Sequence, residues 1–234
     1  SRYGPAMPSV ALPAELAHVE AWVFDLDNSL YPHTTDLFAL VDVRMRDYVC
    51  RLLDCSPEEG HRIQKGFFHK HGTTLSGLMA EHGVDPHDFL SYVHDIDMAR
   101  LTADPDLVAA LDRLPGRKFV FTNGDESYAR RVLDRIGLAN AFDGMHDIHT
   151  MDYVPKPDPS AYAKLCARLD IDPAKAMFAD DMARNLVPAK ALGMVTIWVD
   201  NGSEQAGHTH VPDHIDYRTT DIARWLHEIL GDPA

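Results

Sequence analysis

Four short apolar runs punctuate the chain, at residues 21–24, 118–121, 176–179 and 195–199. Each is continuous rather than alternating and stops at a polar residue, the pattern of strands buried on both faces. Segments of helical length, 126–136, 160–169 and 183–192, lie between the later runs. This alternation predicts an α/β fold, a parallel sheet with helices on its faces. Ligands of such sheets bind beyond the carboxyl ends of the strands, near a switch in strand order. Three of the runs lead there into Asp25, Thr122 and Asp180.

The first two runs are separated by residues 25–117, far more than one crossover requires. Within that stretch Leu37, Leu40, Val41, Tyr48, Val49, Leu52 and Leu53 recur at helical spacing, after Thr34, Thr35 and Asp36 as caps. Ser56, Pro57 and Glu59 have the form of a second helix start, and Ile63, Phe67 and Phe68 continue its apolar face. Shorter helical pieces read at 75–81 and 86–93, with no strand before Leu101. The expected organisation is a core of residues 1–33 and 101–234 and a helical cap of residues 34–100. Met7 is a candidate native start, so residues 1–6 stay outside the fold reading.

A chain of 234 residues with 45 % hydrophobic and 25 % charged content reads as a globular protein with ample core. No stretch reaches the roughly 18 apolar residues of a membrane helix, and no export signal is evident, so no membrane partner is expected and the cytoplasm is the expected compartment. Thirty-six acidic against 22 basic residues, a formal charge of -14, disfavour DNA or RNA as a partner. An acidic enzyme acting on phosphates needs local neutralisation, which a divalent cation supplies. Cys50, Cys55 and Cys166 lack zinc-site spacing and read as free thiols.

The chemistry gathers at strand ends. Asp25 and Asp27 follow the first run; two such acids alone are more often a capped turn. Thr122, Asn123 and Gly124 follow the second, either as a simple turn or as an anion cradle of hydroxyl and backbone N–H groups. Lys156 sits between Pro155 and Pro157, a stiff setting that would aim its ammonium at a phosphoryl group and nearby carboxylates. Asp180 and Asp181, with Asn185 one turn later, repel one another unless a cation or proton intervenes, which favours a magnesium site. His208, His210 and His214 read as a polar loop, and Phe67, Phe68 and Phe89 as core packing; Thr73 and Thr74 are candidates to face the pocket.

In this order the pieces resemble the haloacid dehalogenase superfamily: residues 25–30 match its aspartate motif, Thr122 with Asn123 its second, Lys156 its third, and Asp180 with Asp181 its fourth. The stretches 25–32, 71–78 and 89–95 are similar to its pyrimidine 5'-nucleotidase branch, with Ser29 where that branch more often has Thr. The resemblance implies a Rossmann-like core with a helical cap, and a magnesium-dependent phosphomonoester hydrolase. It implies Asp25 as nucleophile and Asp27 as acid and base, an aspartate that the dehalogenases of the superfamily lack. Asp25, the Asp27 carbonyl and Asp180 would hold magnesium, with Asp181 and Asn185 behind them. Thr122, Asn123 and Lys156 would bind the phosphoryl oxygens. The implied substrate is a small phosphorylated metabolite, a nucleoside 5'-monophosphate by branch. Phosphatases or phosphotransferases for sugar phosphates would carry the same motifs, and a non-catalytic binding protein could dispense with Asp25 or Asp27.

Overall fold

In the computed structural model, which describes residues 11–203 and 211–231, every position of the first strand, β1 (Ala21–Phe24), is buried. It can be so because β1 is flanked on both sides and covered on both faces. Between it and β2 (Arg117–Phe121) come α1 (Leu37–Leu53), α2 (Pro57–His71), α3 (Thr74–His82), α4 (Pro86–Val93) and α5 (Pro105–Arg113). Then follow α6 (Glu126–Arg135), β3 (Gly144–His146), α7 (Pro159–Leu169), β4 (Ala176–Asp180), α8 (Leu186–Ala191), β5 (Val195–Val199), β6 (Tyr217–Thr219) and α9 (Ile222–Ile229). The strands form one six-stranded sheet in the order β3-β2-β1-β4-β5-β6, every pairing parallel. The α/β, Rossmann-like expectation is met.

The register fixes the business end of the sheet. Phe24 lies opposite Val120 on β2 and Ala179 on β4. The chain runs outward from β1 through β2 to β3 and returns to pair β4 on the other side of β1, so the strand order reverses there. A crevice forms at such a reversal, and Asp25, Thr122 and Asp180 stand at its edge.

Strands β3 and β6 were not anticipated from sequence: each is three residues long and only partly buried, without an apolar run. The helix expected over 183–192 divides into a 3₁₀ turn, Ala183–Asn185, and α8. Pro188 explains the break, since its missing N–H and its ring are accommodated in the first turn of a helix but not deeper. Between the first two strands, as expected, the chain is helical. Ser56 accepts the Glu59 N–H at 3.3 Å at the start of α2, and Thr73 accepts that of Ser76 at 3.0 Å at the start of α3. Val41, Val49, Phe67, Leu78, Phe89 and Val93 make a buried interior for these helices, so Phe67 and Phe89 pack as expected. The three cysteines are free and half-buried. Among the described residues no helix is long and apolar enough to cross a membrane.

His146 closes β3 fully buried, its ring between the Ala161 carbonyl (Nε2, 3.2 Å) and the Thr150 hydroxyl (Nδ1, 2.9 Å). Burial pushes its pKa down from 6.5 to about 4. The unfolded chain therefore takes up a proton in a range where the folded chain does not, and stability falls as pH drops from 6.5 towards 4. Urea unfolding at about pH 7 and about pH 5 should show a smaller acid-induced loss for His146→Asn than for the natural chain. Equal losses would mean that the buried ring titrates as freely as the unfolded one.

Candidate active site

Asp25 leaves the sheet with its backbone N–H still bonded to the Ala179 carbonyl at 2.9 Å, which fixes where its side chain emerges. One carboxylate oxygen, Oδ1, accepts from Lys156 Nζ at 2.8 Å, and the other, Oδ2, from Ser29 Oγ at 2.7 Å. Lys156 is 1 % exposed and uses all three ammonium protons, on Asp25 Oδ1, on Asp180 Oδ2 at 2.8 Å and on the Phe121 carbonyl at 2.9 Å. Its Nζ also lies 4.9 Å from the centre of the Phe121 ring and 5.2 Å from that of Phe178. The backbone beneath it is clamped by the Asn123 side chain, whose Oδ1 accepts from Lys156 N at 2.9 Å and whose Nδ2 donates to Lys156 O at 3.2 Å. An amide side chain thus pairs with residue 156 as a neighbouring strand would.

Asp180 is fully buried. Its Oδ1 accepts from Met182 N at 2.8 Å, and Asn185 Nδ2 reaches both of its oxygens at 3.1 Å. Asp181 accepts from Ser203 Oγ at 2.6 Å, and its backbone N–H donates to Ser29 Oγ at 3.1 Å. Ser29 thereby links two of the acids. Asp25, Asp180 and Asp181 each place a carboxylate oxygen within 4.8 Å of the others. Burial, then the charge of Asp180, push Asp25 up to about 7 against the opposing pull of Lys156. Burial, Asp25 and Asp180 raise Asp181 well above its ordinary value. Lys156 is shifted upward by its two carboxylates despite its burial, so it stays charged. One ammonium against three close acids leaves the cluster short of positive charge. The donor set, all hard oxygens, suits a divalent cation such as magnesium. The buried Asn185 Oδ1, without a hydrogen-bond partner, is a further oxygen available at this edge.

Asp27 stands apart from this cluster. Its Oδ1 accepts from the hydroxyls of Tyr31 at 2.6 Å and Tyr128 at 2.7 Å. Burial raises its pKa, and the two phenols oppose the rise. Thr122 is buried; its N–H continues the sheet to His146 O at 3.0 Å, and its Oγ1 accepts from Gly124 N at 3.0 Å. The anticipated residues of all four motifs therefore meet at adjoining strand ends, Lys156 reaching them from the loop before α7. Tyr31, Tyr128 and Ser203 were not singled out from sequence, and Ser29 only as a substitution.

The helices between β1 and β2 meet the core beside this crevice. The Arg184 guanidinium lies 4.5 Å from the centre of the Phe68 ring, and the His94 ring stacks on Tyr128 at 4.2 Å and 13°. Phe68 thus packs under a cation rather than within the insert's interior. Of the two candidate threonines, Thr73 spends its hydroxyl on the α3 cap, and Thr74 is buried, with its hydroxyl 3.5 Å from the Gln64 carbonyl. His214 is half-buried and bonds the Ala183 carbonyl at 2.8 Å; His208 and His210 lie outside the described residues.

The chain is similar along most of its length to two phosphate-related proteins. It is 28 % identical to Phosphate metabolism protein 8 of Saccharomyces cerevisiae, over 90 % of this chain and 71 % of that one. It is 24 % identical to the Glyceraldehyde 3-phosphate phosphatase of Methanopyrus kandleri, over 92 % of this chain and 99 % of that one. Among solved structures, a HAD phosphatase from Thermococcus onnurineus superposes with a TM-score of 0.60 at 19 % identity, covering 91 % of this chain and 98 % of that one. The L-2-haloacid dehalogenase of Xanthobacter autotrophicus superposes at 0.58 and 19 % identity, covering 91 % and 99 %. These structural likenesses speak to the fold. The model of the haloacid dehalogenase-like hydrolases matches residues 19–193, most of the chain, and the protein belongs to that family.

Proposed function

We propose that this hydrolase is a phosphatase that takes the phosphoryl group of a small phosphomonoester onto Asp25, with nucleoside 5'-monophosphates as its substrates. The observation that carries the reading is a buried carboxylate, Asp25, paired to a buried lysine, with a second carboxyl, Asp27, held two residues on by hydroxyls. A halide departs without a proton, whereas an alkoxide does not, so Asp27 has a task in phosphate ester hydrolysis that dehalogenation lacks.

In the proposed reaction an Asp25 oxygen attacks phosphorus and the bond to the leaving oxygen breaks, with Asp27 giving that oxygen its proton. Asp27, now a carboxylate, takes a proton from water as the water oxygen attacks phosphorus. Inorganic phosphate leaves and Asp25 is restored, so one hard displacement becomes two easier ones. The Thr122 hydroxyl and the Asn123 backbone N–H would bind the transferring oxygens, and the Lys156 charge would offset theirs. Asp25, the Asp27 carbonyl and Asp180 would hold magnesium, with Asp181 and Asn185 contacting it through water. When bound, the ion offsets the charge of the clustered acids and of the phosphoryl group.

Residues 34–100 serve as a cap in this reading, supported by the Arg184–Phe68 and Tyr128–His94 contacts across the seam. Similarity of 71–78 and 89–95 to the pyrimidine nucleotidase branch supports the nucleotide substrate. The near full-length match to a protein named for glyceraldehyde 3-phosphate favours a second reading, a sugar phosphate substrate.

Inorganic phosphate release from nucleoside monophosphates and sugar phosphates, with magnesium or with EDTA, tests these readings together. The expected result is magnesium-dependent turnover of UMP or CMP that Asp25→Asn abolishes. Turnover confined to sugar phosphates would transfer the assignment to the second reading, and turnover undiminished in EDTA would remove the metal. Lys156→Met should lower kcat by about 10²- to 10³-fold. It should also cost about 3–5 kcal/mol of stability in EDTA, because two buried carboxylates lose their counter-charge. Magnesium should then raise the Tm of this variant more than that of the natural chain. Equal shifts in differential scanning calorimetry would show that ion and lysine do not share one electrostatic role.

A further inference from the structure

Building on the phosphatase reading, we propose that Tyr31 and Tyr128 are positioning residues that fix the Asp27 carboxyl so that one oxygen, Oδ2, is offered to the leaving group. The two hydroxyls come from distant parts of the chain, Tyr31 from the loop after β1 and Tyr128 from the first turn of α6, yet converge on one atom. They donate to Asp27 Oδ1 at 2.6 and 2.7 Å. A carboxylate oxygen has two lone-pair sites, and at Oδ1 both are occupied. Asp27 Oδ2 accepts no hydrogen bond from the described residues, so it is the oxygen left for chemistry. The terminal torsion of an aspartate is broad and roughly two-fold when nothing holds it. Here a quarter-turn would break both bonds and carry the unbonded oxygen away from its place.

The phenols are suited to the task because they are themselves held. Tyr31 is 4 % exposed and Tyr128 1 %. The Tyr128 backbone N–H donates to Asp125 Oδ1 at 2.8 Å, and its ring stacks on His94, the residue that follows α4. Arg131 donates to the His94 carbonyl at 2.8 Å and to that of Ile96 at 2.8 Å, tying the end of α4 to α6. The helical insert thus braces the residue that braces Asp27. Seating of the insert and aim of the acid are mechanically joined.

An acid that protonates the leaving oxygen matters in proportion to how badly that oxygen needs a proton. An alkyl phosphate releases a strongly basic alkoxide, whereas p-nitrophenyl phosphate releases a weakly basic phenolate that departs unaided. The discriminating experiment measures kcat/KM on p-nitrophenyl phosphate, phenyl phosphate and an alkyl phosphate for the natural chain, Tyr31→Phe, Tyr128→Phe and the double variant. Phenylalanine keeps the ring, its burial and its stacking and removes only the hydroxyl. General acid catalysis contributes about 10²- to 10⁴-fold, so each single variant should lose about tenfold on the alkyl ester and the double variant more. Loss on p-nitrophenyl phosphate should stay below about threefold, since little of the acid's contribution is called on there. The plot of log kcat/KM against leaving-group basicity then steepens, and Asp27→Asn should steepen it further. Equal losses on all three esters would assign the hydroxyls to architecture alone, and no loss on any would leave Asp27 positioned without them; either result overturns the proposal. Inactivity of the natural chain on every phosphate ester would instead overturn the phosphatase reading, and this inference with it.

Discussion

Three carboxylates crowded at the end of a buried sheet, answered by a single ammonium, set the terms for everything around them. Burial penalises charge here, and Asp25 and Asp181 are pushed upward by it and by the charge of neighbouring carboxylates. The fold meets this with a lysine removed from solvent and satisfied on three sides, with Asn185 spanning both oxygens of Asp180, and with serine hydroxyls on Asp25 and Asp181. The remaining deficit of positive charge is what makes the crevice receptive to a cation.

The sheet makes this crowding geometrically possible. Parallel strands of matched register end together, so residues far apart in sequence surface side by side. Because β1 has β2 on one side and β4 on the other, the loops after the three strands face one crevice. Asp27, two positions beyond Asp25, is withdrawn from the acid cluster and surrounded by phenols instead of cations. The two carboxyls therefore answer to different neighbours, as the proposed division between attack and proton transfer requires.

Much of this was legible before the structure. The central strands announced themselves because a strand covered on both faces has nowhere to put a polar side chain, and the strand-end residues followed from them. The edge strands β3 and β6 did not, since three half-exposed residues such as Tyr217, Arg218 and Thr219 carry no such signature. The division at Pro188 was readable in principle from proline's missing donor, and α9 from the spacing of Ile222, Trp225, Leu226 and Ile229. The supporting residues of the site were hidden for a different reason. Tyr128 meets Asp27 across 101 residues and Ser203 meets Asp181 across 22, so their roles exist only once the chain has closed on itself.

The clamp between the Asn123 side chain and the main chain of residue 156 has a further meaning for how such a site can change over time. Because the amide grips peptide atoms, it anchors the loop regardless of which side chain that loop carries. Anchor and cargo are separate parts, so a lineage can replace the group presented at position 156 while keeping the perch from which it is presented. A scaffold built this way can trade one displayed group for another from the same perch, provided the acids beneath find another counter-charge.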